Sequence, residues 1–264
     1  MSQPRARARQ VPICIPKLPS GERWKDLARE AKAIREDNVP EGLDIDEIDT
    51  TEQGRLALDI KLRWPKTGVK LTVGFLDNPE PALRRKILRY ANKWNKTANV
   101  EFTETMADVA NADVRLARRA SGLWSYLGID IRHHPGEPTL NLEGFTMNTR
   151  DSEFDRAVCH EFGHTLGFQH EHLRGDLVKL LDREKTIAYF MRTQGWTRAD
   201  VIYQVLTPVE QDSILITAKP DPDSVMCYQI PGECTKTGKP ILGGKKISAE
   251  DYAFAARVYP KPAR

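Results

Sequence analysis

Residues 157–174 read AVCHEFGHTLGFQHEHLR, and the spacing of the histidines in that stretch decides how the chain is understood. His160 and His164 are four positions apart. On a helix of 3.6 residues per turn their imidazoles leave the same face, one turn apart. Two nitrogens fixed by one rigid helix are half of a tetrahedral zinc site. Glu161 stands beside the first of them, placed to reach a water in that site without ligating the metal. Zinc lowers the pKa of such a water toward ~7, and a nearby carboxylate then takes its proton as the water attacks a carbonyl. Gly167 follows, where a residue without Cβ can leave the helix in a left-handed conformation and let the chain bring His170 back as a third nitrogen. Histidine is scarce, 6 in 264 residues, yet four of the six lie between positions 160 and 172. A chance match to H-E-x-x-H-x-x-G-x-x-H is on the order of one in 10⁵.

With those residues in view, the chain resembles the metzincin zinc peptidases and, among them, the astacins. Phe168 after Gly167 and Glu171 after His170 extend the motif to H-E-x-x-H-x-x-G-F-x-H-E, and Arg174 and Asp176 fit the astacin continuation. Ser224-Val225-Met226-Cys227-Tyr228 resembles the astacin Met-turn, S-x-M-x-Y, with Cys227 where histidine is common. The resemblance implies that Met226 underlies the metal as a hydrophobic base. It further implies that Tyr228 is a switchable fifth ligand whose phenol swings off to hydrogen-bond the oxyanion. Glu171 would meet a new N-terminus released on activation; simple solvation of a helix end is the plainer role for it. Residues 122–128, GLWSYLG, resemble the segment leading into the edge strand of the substrate cleft, to which an extended peptide adds through its backbone. ISAEDYAFAARVYP, 247–260, resembles the closing helix, so the likeness runs from about position 65 to 260.

The expected fold is therefore α+β, of metzincin type. A mixed twisted sheet and the active-site helix form the upper half, and a less regular lower half after Gly167 contains the Met-turn. The implied activity is that of a zinc-dependent endopeptidase, with His160, His164, His170 and Tyr228 around Zn²⁺ and Glu161 as general base. The site chemistry alone also admits a zinc hydrolase of a non-protein amide, or a catalytically idle zinc-containing binding protein. An intact Glu161 speaks against idleness. The expected partner is a protein or peptide substrate in extended conformation, bound by a monomer. Lys236 or Lys239, just past the Met-turn, would favour an acidic residue after the cut.

Periodicity supports this outline. Leu56, Leu58, Ile60, Leu62 and Trp64 alternate as in a strand, and Val69, Leu71, Val73 and Phe75 alternate again after a turn at 65–68. Pro81 opens a helix with Leu83, Ile87, Ala91 and Trp94 on one face. Short strands are expected near 100–102, 114–117, 123–127 and 139–142. Ser152 is a candidate cap for the motif helix, and further helices are expected near 182–191, after Thr197 and after Ser248. Strands mixed with helices without regular alternation fit α+β.

Residues 1–54 differ in character from 55–264, the expected protease domain. MSQPRARARQVPICIPKLP is basic and proline-spaced, Ser20 can cap a helix to about Arg35 with Trp24, Leu27, Ala28, Ala31 and Ile34 on one face, and EGLDIDEIDTTEQG follows. By resemblance this extension is a candidate inhibitory pro-segment that lays an aspartate on the zinc. Asp44, Asp46 and Asp49 are placed for it, and Cys14 offers a softer, tighter thiolate instead. The acidic run also reads as a solvated surface.

Composition sets outer bounds. Hydrophobic residues are 40% and charged residues 29%, and 40 Lys and Arg against 37 Asp and Glu leave a formal charge of +3. That balance argues against a nucleic-acid-wrapping protein. No apolar run approaches the ~20 residues of a membrane span. No secretory signal is visible at the N-terminus, which points to an intracellular chain or export by a non-standard route, or to secretion if a leader preceded it. Four cysteines, Cys14, Cys159, Cys227 and Cys234, are too few for a disulfide scaffold, and the two-disulfide pattern of astacins does not map onto them. Cys227 and Cys234 could pair in an oxidising compartment.

Overall fold

The computed structural model describes residues 14, 23–47, 60–208 and 220–263. Ser20, Asp49, Gly54, Leu56 and Leu58 lie outside the described residues. Helix α1 (Trp24–Ile34) buries the stripe of Trp24, Leu27, Ala28 and Ala31. Strand β1 (Val69–Phe75) alternates as expected before its buried end, and α2 (Pro81–Ala91) starts on Pro81, whose missing N–H is harmless at the first helical position. Strands β2 (Val100–Glu104), β3 (Val114–Ala117), β4 (Leu123–Ser125) and β5 (Leu140–Leu142) complete a five-stranded sheet of order β2-β1-β3-β5-β4. The pairs β1/β2, β1/β3 and β3/β5 are parallel, and β4 runs antiparallel to β5 at the edge.

The alternation at Ile60–Trp64 does not make a strand. That segment is tied piecemeal: Lys61 N donates to Asn38 O at 2.7 Å and Ile129 N to Leu62 O at 3.0 Å, Arg63 N and O bond the Asn38 side chain, and Trp64 N donates to the Tyr259 hydroxyl. Its apolar side chains still bury, so the period of two records burial on one side without a ladder.

The motif helix is α3 (Cys159–Thr165), continuous with a π-turn at Phe154–Val158 and a first turn at Asp151–Glu153. Its N-cap is Arg150, which supplies no side-chain bond; Ser152 lies inside the first turn and caps nothing. In the lower half, α4 (Arg183–Gln194) is capped by Asp182. Thr197 with Asp200, and Ser248 with Asp251 ahead of α5 (Ala249–Val258), form the reciprocal capping boxes their spacing predicts. Among the described residues no helix is long and apolar enough to cross a membrane.

Two apolar clusters result. The larger joins the sheet, α2, α3 and Met226, and includes Trp24, Leu27, Ala28 and Ala31. The smaller holds the lower half together around Phe190, Val201, Val205 and Ile230, and Cys14 belongs to it. Helix α1 thus shares the main core. Polar ties reinforce it: Glu30 meets Arg132 and His133 at 2.8 and 2.5 Å, and the Arg35 guanidinium donates to Val258 O at 3.0 Å.

Candidate active site

The Nε2 atoms of His160, His164 and His170 lie 3.0–3.1 Å from one another. Nδ1 of His160 donates to Val225 O at 2.6 Å, and Nδ1 of His164 to Phe168 O at 2.8 Å. In those tautomers the two Nε2 lone pairs point inward, and lone pairs do not hydrogen-bond to each other, so the trio is a nest for a cation. Burial, and for His160 and His170 also the neighbouring imidazoles, keeps the rings neutral. It lowers His164 to about 4 and the other two well below the ordinary range. Nitrogens at about 2.0–2.1 Å from a tetrahedral zinc are about 3.3–3.4 Å apart, so the donor set fits zinc in number, type and near spacing.

Two glycines make this geometry possible. Gly167 has φ 85°, the left-handed exit that returns the chain to His170. A Cβ on Gly163 would stand 2.5 Å from Met226 Sδ, so α3 rests directly on the Met-turn methionine. Met226 is buried, and its carbonyl accepts from Glu171 N at 3.0 Å.

Glu161 is buried, and burial pushes its carboxyl up to about 8. Its Oε2 accepts from Cys14 Sγ at 3.1 Å. The Cys14 sulfur and the three imidazoles form one cluster whose ligand atoms all lie within 4.8 Å of one another. The Tyr228 hydroxyl donates to the Cys14 carbonyl, and Cys14 forms a parallel bridge to Leu123 at the start of β4. Burial, then the Glu161 charge, raises the Cys14 thiol well above its usual range; a cation in the nest reverses that preference.

The other latch candidates are elsewhere. Asp44 and Asp46 are exposed; Asp44 accepts from Asp46 N at 2.9 Å, and Asp46 pairs with Arg29. Their solvated setting explains this, since Arg29 on α1 neutralises Asp46 at no desolvation cost. Glu171 accepts from Asp221 N at 3.0 Å, and burial raises it to about 7. All four cysteines are free thiols, so Cys227 and Cys234 are unpaired. Lys236 donates to Lys179 O at 2.8 Å on the surface.

Two residues outside the motif reading touch the site. Asp251 of the capping box accepts from Val225 N at 2.8 Å and from Ser224 Oγ at 2.6 Å, bracing the Met-turn. His172 stacks on Tyr228, with ring centroids 4.0 Å apart and planes at 18°. The capping spacing at Ser248–Asp251 flagged a helix start; only the fold shows what else the carboxylate holds.

A helix-borne histidine pair, a third histidine after a left-handed glycine and a methionine floor define a zinc-dependent hydrolase of metzincin type. The sequence matches the astacin peptidase family over residues 58–239. Its likeness to the zinc metalloproteinase nas-27 of Caenorhabditis elegans is 26% identity over 117 residues, which is 44% of this chain and 25% of that protein. The solved structure of myroilysin is 32% identical, covers 76% of this chain and 97% of its own, and superposes with a TM-score of 0.70. High choriolytic enzyme 1 of the medaka fish Oryzias latipes, a hatching enzyme zinc-protease, is 16% identical over 76% of this chain and 94% of its own. Its TM-score of 0.51 attests the fold. The chain belongs to the astacin family, with that family's α+β zinc metallopeptidase domain and Zn²⁺ as cofactor. The matched stretch spans a quarter of the length of the nematode relative.

Proposed function

We propose that this chain is an endopeptidase acting on polypeptides laid extended along β4, and that residues 1–54 act as a pro-segment in which Cys14 keeps the enzyme latent. The observation that carries the reading is the convergence of three neutral Nε2 atoms beside a buried glutamate. His160, His164 and His170 would hold the zinc, which supplies Lewis acidity for the scissile carbonyl and acidifies the attacking water. Glu161 accepts the proton of that water as its oxygen bonds to the carbonyl carbon, then delivers it to the departing amine nitrogen as the C–N bond breaks. Tyr228 donates its hydroxyl to the oxygen that gains charge. The backbone of β4 pairs with the substrate main chain, so recognition tolerates many side chains.

Latency is supported by how much of this machinery one residue engages. Cys14 meets Glu161 through its sulfur, Tyr228 through its carbonyl and β4 through its backbone, and its sulfur joins the imidazole cluster. A substrate needs the same groups, so it competes with Cys14 for all of them.

The test is cleavage of casein by the full chain carrying Cys14→Ala, which relieves the proposed latency, with and without a zinc chelator and with Glu161→Ala added. Activity lost in both, with the variant still carrying about one zinc, is the expected result. Cleavage that persists in Glu161→Ala would remove the glutamate from its role as proton carrier.

A further inference from the structure

We propose that His172 is a positioning residue for catalysis, a fixed plate that holds the Tyr228 phenol where its hydroxyl meets the reacting oxygen. The inference rests on Tyr228 being the oxyanion donor. His172 is wholly buried, and its ring lies nearly parallel to that of Tyr228 at 4.0 Å. The plate is itself anchored: Nε2 of His172 donates to Gln204 O at 3.0 Å, inside the π-turn Ile202–Leu206 that follows the Thr197 capping box. Single π-turns of this kind recur at functional sites. The other neighbour of the phenol is tilted, with His170 at 4.3 Å and 56°.

A parallel stack constrains a ring against tipping out of its plane and resists sliding within the plane only weakly. That is the freedom Tyr228 needs. Its hydroxyl rests on the Cys14 carbonyl, and when that peptide leaves, an in-plane sweep along the His172 face brings the hydroxyl onto a substrate oxygen. Without the plate, the phenol tips into the vacated space and its hydroxyl is displaced. Misplacement of about 1 Å in such a group costs up to about 10²-fold in rate.

His172 also touches His170, with centroids 5.0 Å apart, so the experiment separates the two routes. In a Cys14→Ala background of the full chain, kcat, KM and bound zinc are measured for His172→Ala, His172→Phe, Tyr228→Phe and the double variant His172→Ala/Tyr228→Phe. Tyr228→Phe is expected to lower kcat about a hundredfold, as loss of one oxyanion donor does. His172→Ala is expected to lower kcat at least tenfold, with KM within twofold and zinc unchanged. His172→Phe, which keeps a flat ring, restores kcat to within about threefold of the background. The double variant falls no further than Tyr228→Phe alone. An undiminished kcat in His172→Ala, an equal further loss in the double variant, or loss of zinc overturns the inference. A Tyr228→Phe variant with full kcat overturns the oxyanion assignment beneath it.

Discussion

The thiol of Cys14 and the carboxylate of Glu161, 147 positions apart in the chain, meet at 3.1 Å beside three converging imidazoles. The thiol occupies one oxygen of the carboxylate and, with its sulfur in the imidazole cluster, stands where the attacking water would have to sit. Cys14→Ala in the full chain is therefore expected to raise cleavage of a fluorogenic peptide at least tenfold at unchanged zinc content. Cys14→Ser should follow it, because a hydroxyl is a weaker zinc ligand than a thiolate. Equal initial rates for wild type and both variants would remove the latch.

On the proposal that residues 1–54 form a pro-segment, the place of the cut decides whether the enzyme survives its removal. Residues 1–19 include Cys14 and leave α1 whole, whereas removal of 1–54 takes Trp24, Leu27, Ala28 and Ala31 out of the main core. Full burial of a large apolar side chain contributes about 1.5–3 kcal/mol. The shorter deletion is expected to be active with a urea midpoint close to that of wild type, and the longer one to lose several kcal/mol. Matching midpoints for the two would show that α1 adds nothing to the stability of the domain.

These contacts mark the boundary of what sequence reading reaches. The zinc motif, the capping boxes and all five strands follow from rules that act within a turn or a strand, so spacing alone exposes them. The edge position of β4 came from family likeness. Choosing among Cys14, Asp44 and Asp46 was beyond local rules, because it depends on which segment crosses the cleft; the aspartates were caught by Arg29 and by solvent. Ile60–Trp64 carries a strand pattern and makes none, since its backbone is met piecemeal by the main chain and side chain of Asn38, by Ile129 and by the Tyr259 hydroxyl rather than by a neighbouring strand. His172 sits two positions past the motif and looks like an ordinary helix-end histidine until Tyr228 arrives from 56 residues downstream.

The tether of α1 to the rest of the domain predicts a defined acid response. Arg35, buried, donates to Asp37 at 2.6 Å and to Val258 O at 3.0 Å. Its hydrogen bond holds the Asp37 carboxyl down at about 2. A carboxyl depressed on folding adds stability above its unfolded pKa and gives it up as pH falls through the folded value. The stabilisation is therefore complete above about pH 4 and gone near pH 2. Because Asp37 is 47% exposed, the full linkage value is discounted to about 1 kcal/mol. Asp37→Asn should lose about that much at neutral pH and nothing at pH 2, read from urea denaturation at both. A constant difference at the two pH values would show that the charge is not what matters.

Asp251 links the closing helix to the imidazole nest. Its Oδ2 accepts from Val225 N at 2.8 Å and from Ser248 N at 2.9 Å, and the carbonyl of the same Val225 accepts from His160 Nδ1 at 2.6 Å. The carboxylate thus orients one residue, and that residue orients a histidine whose other nitrogen faces the nest. Asp251→Ala leaves Val225 N–H and Ser224 Oγ buried without their acceptor, each at a cost of about 1–3 kcal/mol. It should also speed zinc loss to a chelator by about 10–100-fold, the usual effect of removing a group that orients a ligand. Ser248→Ala supplies the contrast. It removes the cap, at about 1 kcal/mol, and spares the bond from Val225 to Asp251, so stability falls while zinc retention holds. If Ser248→Ala releases zinc as fast as Asp251→Ala, the metal is sensing helix stability in general, and the path through Val225 carries no special weight.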